Sequence, residues 1–190
     1  RWFKALGLNY TIQVEQKSEI GVSDLIYTTL RTRENDPIVR TSTDVGFGFT
    51  QIMPIVVQGV VSDDKTICVE QPEIHLHPKL QGELTDFLID TIRYPNRNQW
   101  IIETHSELLI RRLQRRIRDH SVEIKDVSVL YVDPISSRES VVKELRLDSD
   151  GEFIDEWPAG FFDEAFEEVT APNSIGSGQT SLETLVITAE

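Results

Sequence analysis

Ile67-Cys68-Val69-Glu70-Gln71-Pro72-Glu73-Ile74-His75-Leu76-His77-Pro78 is the stretch that decides the fold. It begins inside a compact apolar strand, read over Lys65 to Val69, and ends in acidic residues at Pro72, which cannot donate to a strand ladder. Beyond Pro78, the residues Leu80, Leu84, Phe87, Leu88 and Ile92 fall on one face of an amphipathic helix over Lys79 to Arg93. Gln99 to Glu103 repeats the short buried strand, and Ser106 to Arg118 repeats the helix, with Leu109, Leu113 and Ile117 inward. Strand, helix, strand, helix implies parallel pairing through right-handed crossovers. The expected fold class is α/β: a mostly parallel sheet flanked by helices, with antiparallel edge strands at Asp126 to Val132 and Ser140 to Leu147.

In such a sheet the carboxyl ends of the strands open onto the ligand crevice. A carboxylate just past an apolar strand is costly unless it is paired or liganded, so Glu70 is placed to hold Mg²⁺, a hard cation that prefers oxygen. The second strand ends in Glu103-Thr104-His105-Ser106, where His105 can donate to a phosphate or an attacking water. Upstream, Thr43-Asp44-Val45-Gly46-Phe47-Gly48-Phe49-Thr50-Gln51 reads as a glycine-punctuated loop entering a helix from Thr50 to about Ser62. Taken alone, each of these features has a bland reading as a solvated or ordinary turn. Their order along the chain is what argues for a site.

The chain has 190 residues, 19 basic and 32 acidic side chains, and a formal net charge of −13. Residues 147–190 hold eleven acids and no Lys or Arg, leaving residues 1–146 at 19 against 21. That distribution excludes an even basic coat for wrapping nucleic acid but leaves room for a local basic face. Arg111, Arg112, Arg115, Arg116 and Arg118 form such a cluster, read as a solvated helix face, a phosphate contact, or a dock for the acidic C-terminal segment. The single Cys68 excludes a disulfide framework, fits a reducing, cytoplasmic setting, and reads as an apolar filler of its strand. No apolar run reaches the roughly 18–20 residues of a membrane span. The opening Arg1-Trp2-Phe3-Lys4 carries neither an initiator Met nor a signal peptide and reads as the start of a fragment.

These motifs, in this order, resemble the ATP-binding-cassette type of AAA-family ATPase head in the RecF, SMC and OLD-like branch. Val45 to Gln51 is similar to a signature loop, Lys65 to Glu73 to a Walker B strand, Leu76-His77-Pro78 to a D-loop, and His105 to a switch histidine. Trp157-Pro158-Ala159-Gly160-Phe161-Phe162-Asp163-Glu164 resembles the small C-terminal region that bacterial members often carry. The resemblance covers about residues 43–168 and implies ATP and Mg²⁺ as cofactors. It implies a head-to-head dimer, or a higher oligomer, in which Gly46, Gly48, Thr50 and Gln51 meet the γ-phosphate across the interface and His77 mediates contact between the sites. Glu70 would hold the metal.

Three departures qualify that picture. No G-x-x-x-x-G-K-[ST] occurs in the 190 residues, so the expectation is the C-terminal lobe of a head whose N-terminal half, with the P-loop, lies elsewhere. Gln71 stands where a catalytic Glu is usual, and an amide orients water but does not accept its proton. Either Glu73 or Glu103 then acts as base, or hydrolysis is slow. Gly46 replaces a Ser common in signature loops.

The expected organisation is a peripheral β segment at 1–42, the ATPase lobe at 43–147, a small acidic aromatic subdomain at 148–170 and a flexible tail at 171–190. The expected function is an ATP-binding and hydrolysing head in bacterial DNA repair or defence against phage and plasmids, driving an effector nuclease or toxin, with DNA contact open and no membrane partner. The alternatives are a non-hydrolysing nucleotide-regulated scaffold, and a metal-dependent hydrolase using His75, His77 and His105.

Overall fold

The computed structural model describes residues 2, 6, 10–17, 25–32, 38–40, 44, 46–93, 95–156 and 183–187. Two antiparallel strands, β1 (Tyr10–Lys17) and β2 (Leu25–Thr32), pair from Tyr10↔Thr32 to Lys17↔Leu25, and the short β3 (Val39–Arg40) extends them. The apolar–polar alternation of the first forty residues predicts this hairpin. It meets the rest of the molecule where Tyr10 sets its ring edge-on to Phe49 at 5.6 Å.

The main layer alternates α1 (Phe47–Val61), β4 (Thr66–Glu70), α2 (Pro78–Thr91), β5 (Gln99–Glu103) and α3 (Glu107–Arg118), followed by the hairpin β6 (Val127–Ser136) and β7 (Glu139–Glu144). β4 and β5 run parallel, in register from Thr66↔Gln99 to Glu70↔Glu103. The sheet order is β4-β5-β8-β6-β7, where β8 (Glu183–Ile187) lies antiparallel to both neighbours. β4, β5 and β6 therefore all point the same way, and β8 fills a one-strand gap between β5 and β6.

Three findings revise the sequence reading. α1 begins at Phe47 and not at Thr50, so Gly48, Thr50 and Gln51 belong to its first turn. The stretch read as a tail contributes β8. Its Leu185-Val186-Ile187 core is short and set among Gly, Ser and Thr, and only pairing with strands more than fifty residues away in sequence makes it a strand. β4 is buried on one side alone: Ile67 and Val69 are half-buried, while Thr66, Cys68 and Glu70 are exposed. Cys68 is consequently a surface thiol.

The helices gather on the sheet face that carries Trp100 and Ile102, both fully buried. Trp100 packs against Phe87 of α2 with ring centroids 6.3 Å apart, and its indole N–H donates to Thr91 Oγ1 at 2.8 Å. α1 approaches this pair closely at Gly59, where a Cβ would sit 2.6 Å from Phe87 Cζ and 2.9 Å from Trp100 Cζ2. Leu84, Leu88, Leu109 and Leu113 complete the interior.

Arg111, Arg112, Arg116 and Arg118 of α3 are engaged in ion pairs. Arg116 grips both carboxylate oxygens of Asp86 on α2 at 2.6 and 2.7 Å and also meets Asp119 at 2.8 Å; these bonds hold its guanidinium far above the usual range. Arg112 lies 3.8 Å from Asp86 and 4.0 Å from Glu83, and Arg118 pairs with Glu152. Gln114 donates to Gly151 O at 2.8 Å, so the helix does dock the start of the acidic segment. Leu147 bridges to Phe153, which packs on the main core. Trp157 to Glu164 lies outside the described residues.

Arg146 clamps Asp155, its guanidinium 2.7 Å from Oδ1 and its backbone N–H donating to Oδ2 at 2.7 Å. The side-chain bond first, then the backbone bond, lowers the Asp155 carboxyl to about 2. Because the folded value lies below the unfolded one, the clamp contributes fully above the ordinary carboxylate range and fades as pH falls toward 2. In Arg146→Met the Asp155 carboxyl, followed by carbon NMR, is expected to titrate about 1–2 units higher, near its unperturbed value; an unmoved midpoint contradicts the assignment.

Candidate functional site

The site is built where β4 and β5 end together. Glu70 and Glu103 are direct neighbours in the parallel register, and Gln71 N–H donates to Glu103 O at 2.7 Å, carrying the ladder one residue further. The chain then folds into a tight turn in which Ile74 N–H donates to Gln71 O and Leu76 N–H to Glu73 O. Gln71 (φ 45°) and His75 (φ 62°) both adopt left-handed backbone, a cost of about 1–3 kcal/mol each that surrounding contacts must offset.

Glu73 supplies one such contact. It is only 8% exposed, and its Oε1 accepts the backbone N–H of His105 at 2.8 Å, tying the acidic turn to the end of β5. A second tie runs through Gln81 of α2, whose amide donates to Leu76 O at 3.2 Å and accepts from Ser106 Oγ at 2.6 Å. Ser106 caps α3 by accepting from Leu109 N–H, and Thr104 Oγ1 accepts from Ser106 N–H. His77 caps α2: its Nδ1 accepts from Lys79 N–H at 3.2 Å, and Pro78 takes the first helical position.

The start of α1 presses on the same turn. A Cβ on Gly48 would lie 2.7 Å from His75 O, so only glycine allows this approach. Phe47, 77% exposed, tilts its ring over His75 at 5.9 Å. Thr50 Oγ1 bonds back to Phe47 O at 2.8 Å, Gln51 is exposed, and Gly46 faces open space.

Gln71, Glu73 and His105 thus line one cavity of about 550 Å³, with Ile74, Gln81 and the first residues of α3. Glu70, Glu103, Gly46, Gly48, Thr50, Gln51 and His77 are not part of its lining. Among the described residues no three His, Cys, Asp or Glu side chains converge as a metal-holding group, so His75, His77 and His105 do not make the set a metal hydrolase needs. The tie from Glu73 to the His105 amide, and the role of Gln81, are absent from the sequence reading. Only the Ser106 cap left a signal, at the head of a periodic apolar helix.

The sequence model described as "AAA ATPase domain" matches residues 2–110, more than half of the 190. The chain belongs to the AAA ATPase domain family. A second family, described as a protein of unknown function (DUF3696), matches residues 122–171, the β6–β7 hairpin and the acidic segment. No curated protein matches the chain. A solved structure described under "ATP-driven dimerization and DNA stimulated activation of SMC ATPases" is similar in fold, with a TM-score of 0.55 at 11% identity, covering 91% of this chain and 89% of that one. The likeness places this AAA ATPase domain in the mixed α/β architecture of SMC-type heads. Among the described residues of this domain, no helix is long and apolar enough to cross a membrane.

Proposed function

We propose that these residues form the metal- and water-facing half of an ATPase site, completed by a phosphate-gripping loop outside this sequence and by a second head. The observation that carries the reading is the convergence of Gln71, Glu73 and His105 on one cavity, beside the paired strand ends Glu70 and Glu103. An exposed carboxylate at a strand end fits a Mg²⁺ ligand, so Glu70 would hold the ion, whose chemistry is to offset charge on the phosphates. Gln71, half-buried and fixed by its backbone bond to Glu103, orients water without taking a proton. Glu103, beside Glu70 in the strand register, is one candidate base. Glu73 remains an alternative base, but one oxygen is engaged by His105 N–H. His105 donates toward the terminal phosphate. Gly46, Gly48, Thr50 and Gln51 would face the partner head, and His77-Pro78 would sit at the contact between sites.

ATP turnover by the full-length polypeptide tests this. Wild type is expected to turn over slowly, Gln71→Glu to raise the rate by about 10²-fold and His105→Ala to lower it by a similar factor. ATP-dependent dimerisation with no turnover in any variant would leave the scaffold reading, which the Gln71 amide favours. A cytoplasmic role in bacterial DNA repair or anti-phage defence, with an effector nuclease or toxin, rests on the family resemblance. Arg112, Arg116 and Arg118 are engaged in ion pairs, so contact with DNA through them would compete with those pairs.

A further inference from the structure

We infer that β8 is an autoinhibitory strand: it occupies, in the reverse direction, the slot between β5 and β6 that the strand leading into the phosphate-gripping loop takes when the site is completed. The inference rests on the reading in which that loop comes from outside this sequence. It adds that the chain blocks the loop's place until β8 leaves.

Strand direction carries the argument. β4 and β5 pair in parallel, and β5 and β6 both lie antiparallel to β8, so β4, β5 and β6 point the same way. Mixed sheets of this kind commonly carry their antiparallel strand at an edge, as β7 does here, yet β8 stands between two strands that are parallel to each other. A phosphate-gripping loop joins the carboxyl end of a strand to the start of a helix. To meet Glu70 and Glu103, that strand has to run parallel to β4 and β5. β8 cannot serve, because its first residues, Glu183 and Thr184, lie opposite Tyr131 and Glu103 and put its amino end at the site.

Backbone and cover both suit an incoming strand. The slot offers Trp100 to Glu103 on one wall and Val127 to Tyr131 on the other, so an occupant pairs along both edges, whereas outside β4 it would pair along one. The helices of this chain pack on the sheet face that carries Trp100 and Ile102. The opposite face shows Thr66, Cys68 and Glu70 to solvent and leaves Ile101 and Leu130 half-buried. A strand continued by a helix gains that face as cover in addition to the pairing, which gives it the means to displace the five residues of β8.

Amide hydrogen exchange on the unmodified full-length polypeptide, without nucleotide, tests this. The amides of Leu185 to Ile187 are expected to exchange at least about tenfold faster than those of Ile102 and Val129, since the walls stay paired after β8 has left. In the 190-residue chain alone, β8 and both walls are expected to be protected alike. Deleting residues 183–190 is expected to leave Ile102 and Val129 protected in the full-length polypeptide and to expose them in the 190-residue chain. β8 as protected as its walls in the full-length polypeptide overturns the inference, as does loss of wall protection there on deletion. The first comparison is made on wild type and holds even if the deletion variant fails to fold. Protected β8 in a polypeptide that turns over ATP strikes this inference alone, whereas released β8 without turnover strikes the hydrolytic reading alone.

Discussion

Trp100→Ala is expected to lower the unfolding free energy by about 3–5 kcal/mol. Few positions combine so many losses. The indole is fully buried, meets Phe87 edge-on, and lies close enough to α1 that Gly59 has no room for a Cβ. Truncation leaves a void among α1, α2 and β5, which rigid helices cannot refill, and removes the bond to Thr91 Oγ1. A typical domain holds only about 5–15 kcal/mol in reserve, so the change approaches global unfolding. Urea titration should show a lower midpoint at an unaltered slope. A loss under about 1 kcal/mol would mean that the packing around Trp100 is not as described.

The second large effect is expected at Gly48→Ala, measured without nucleotide. A new Cβ meets a backbone carbonyl, His75 O, at 2.7 Å, and that carbonyl belongs to a residue already in left-handed geometry. Alanine gains at most about 1 kcal/mol in helix propensity, less in a first turn. The overpacking costs about 1–3 kcal/mol, so destabilisation wins. Gly46→Ala is the control: open space surrounds that position, and only the weaker cap preference is lost. Were the two variants equally harmless, Gly48 would serve a ligand alone. A real difference shows that this glycine first serves the contact between α1 and the acidic turn.

That pair of glycines shows where local reading reaches its limit. Val45-Gly46-Phe47-Gly48 looks like a loop because glycine disfavours helix, and the sequence reading delays α1 to Thr50. The absent side chain at Gly48 answers instead to a carbonyl 27 residues downstream. α2 and β5 were legible because their signals are internal: Leu84, Phe87 and Leu88 repeat at helical spacing, and Trp100 and Ile102 alternate into the core. The chemistry at the strand ends was legible for the same reason, since a strand that stops in Glu70 or Glu103 announces itself. The hold of Glu73 on His105 N–H spans 32 residues and leaves no local trace. β4 misled through its composition: Ile67, Cys68 and Val69 read as buried on both faces, yet the helices cover only one.

The position of β8 bears on how the molecule assembles. β4, α2, β5 and α3 are consecutive and can condense through local contacts, and β6 and β7 can close as a hairpin by themselves. Neither unit touches the other through the sheet until Glu183–Ile187 arrives, pairing Ile187 with both Trp100 and Val127. Loop closure over such separations adds only slowly to the entropy, but non-local pairing of this kind lengthens folding times. Two cooperative units joined by one late strand should then differ in amide exchange, with β5 and β6 losing protection together whenever that strand detaches.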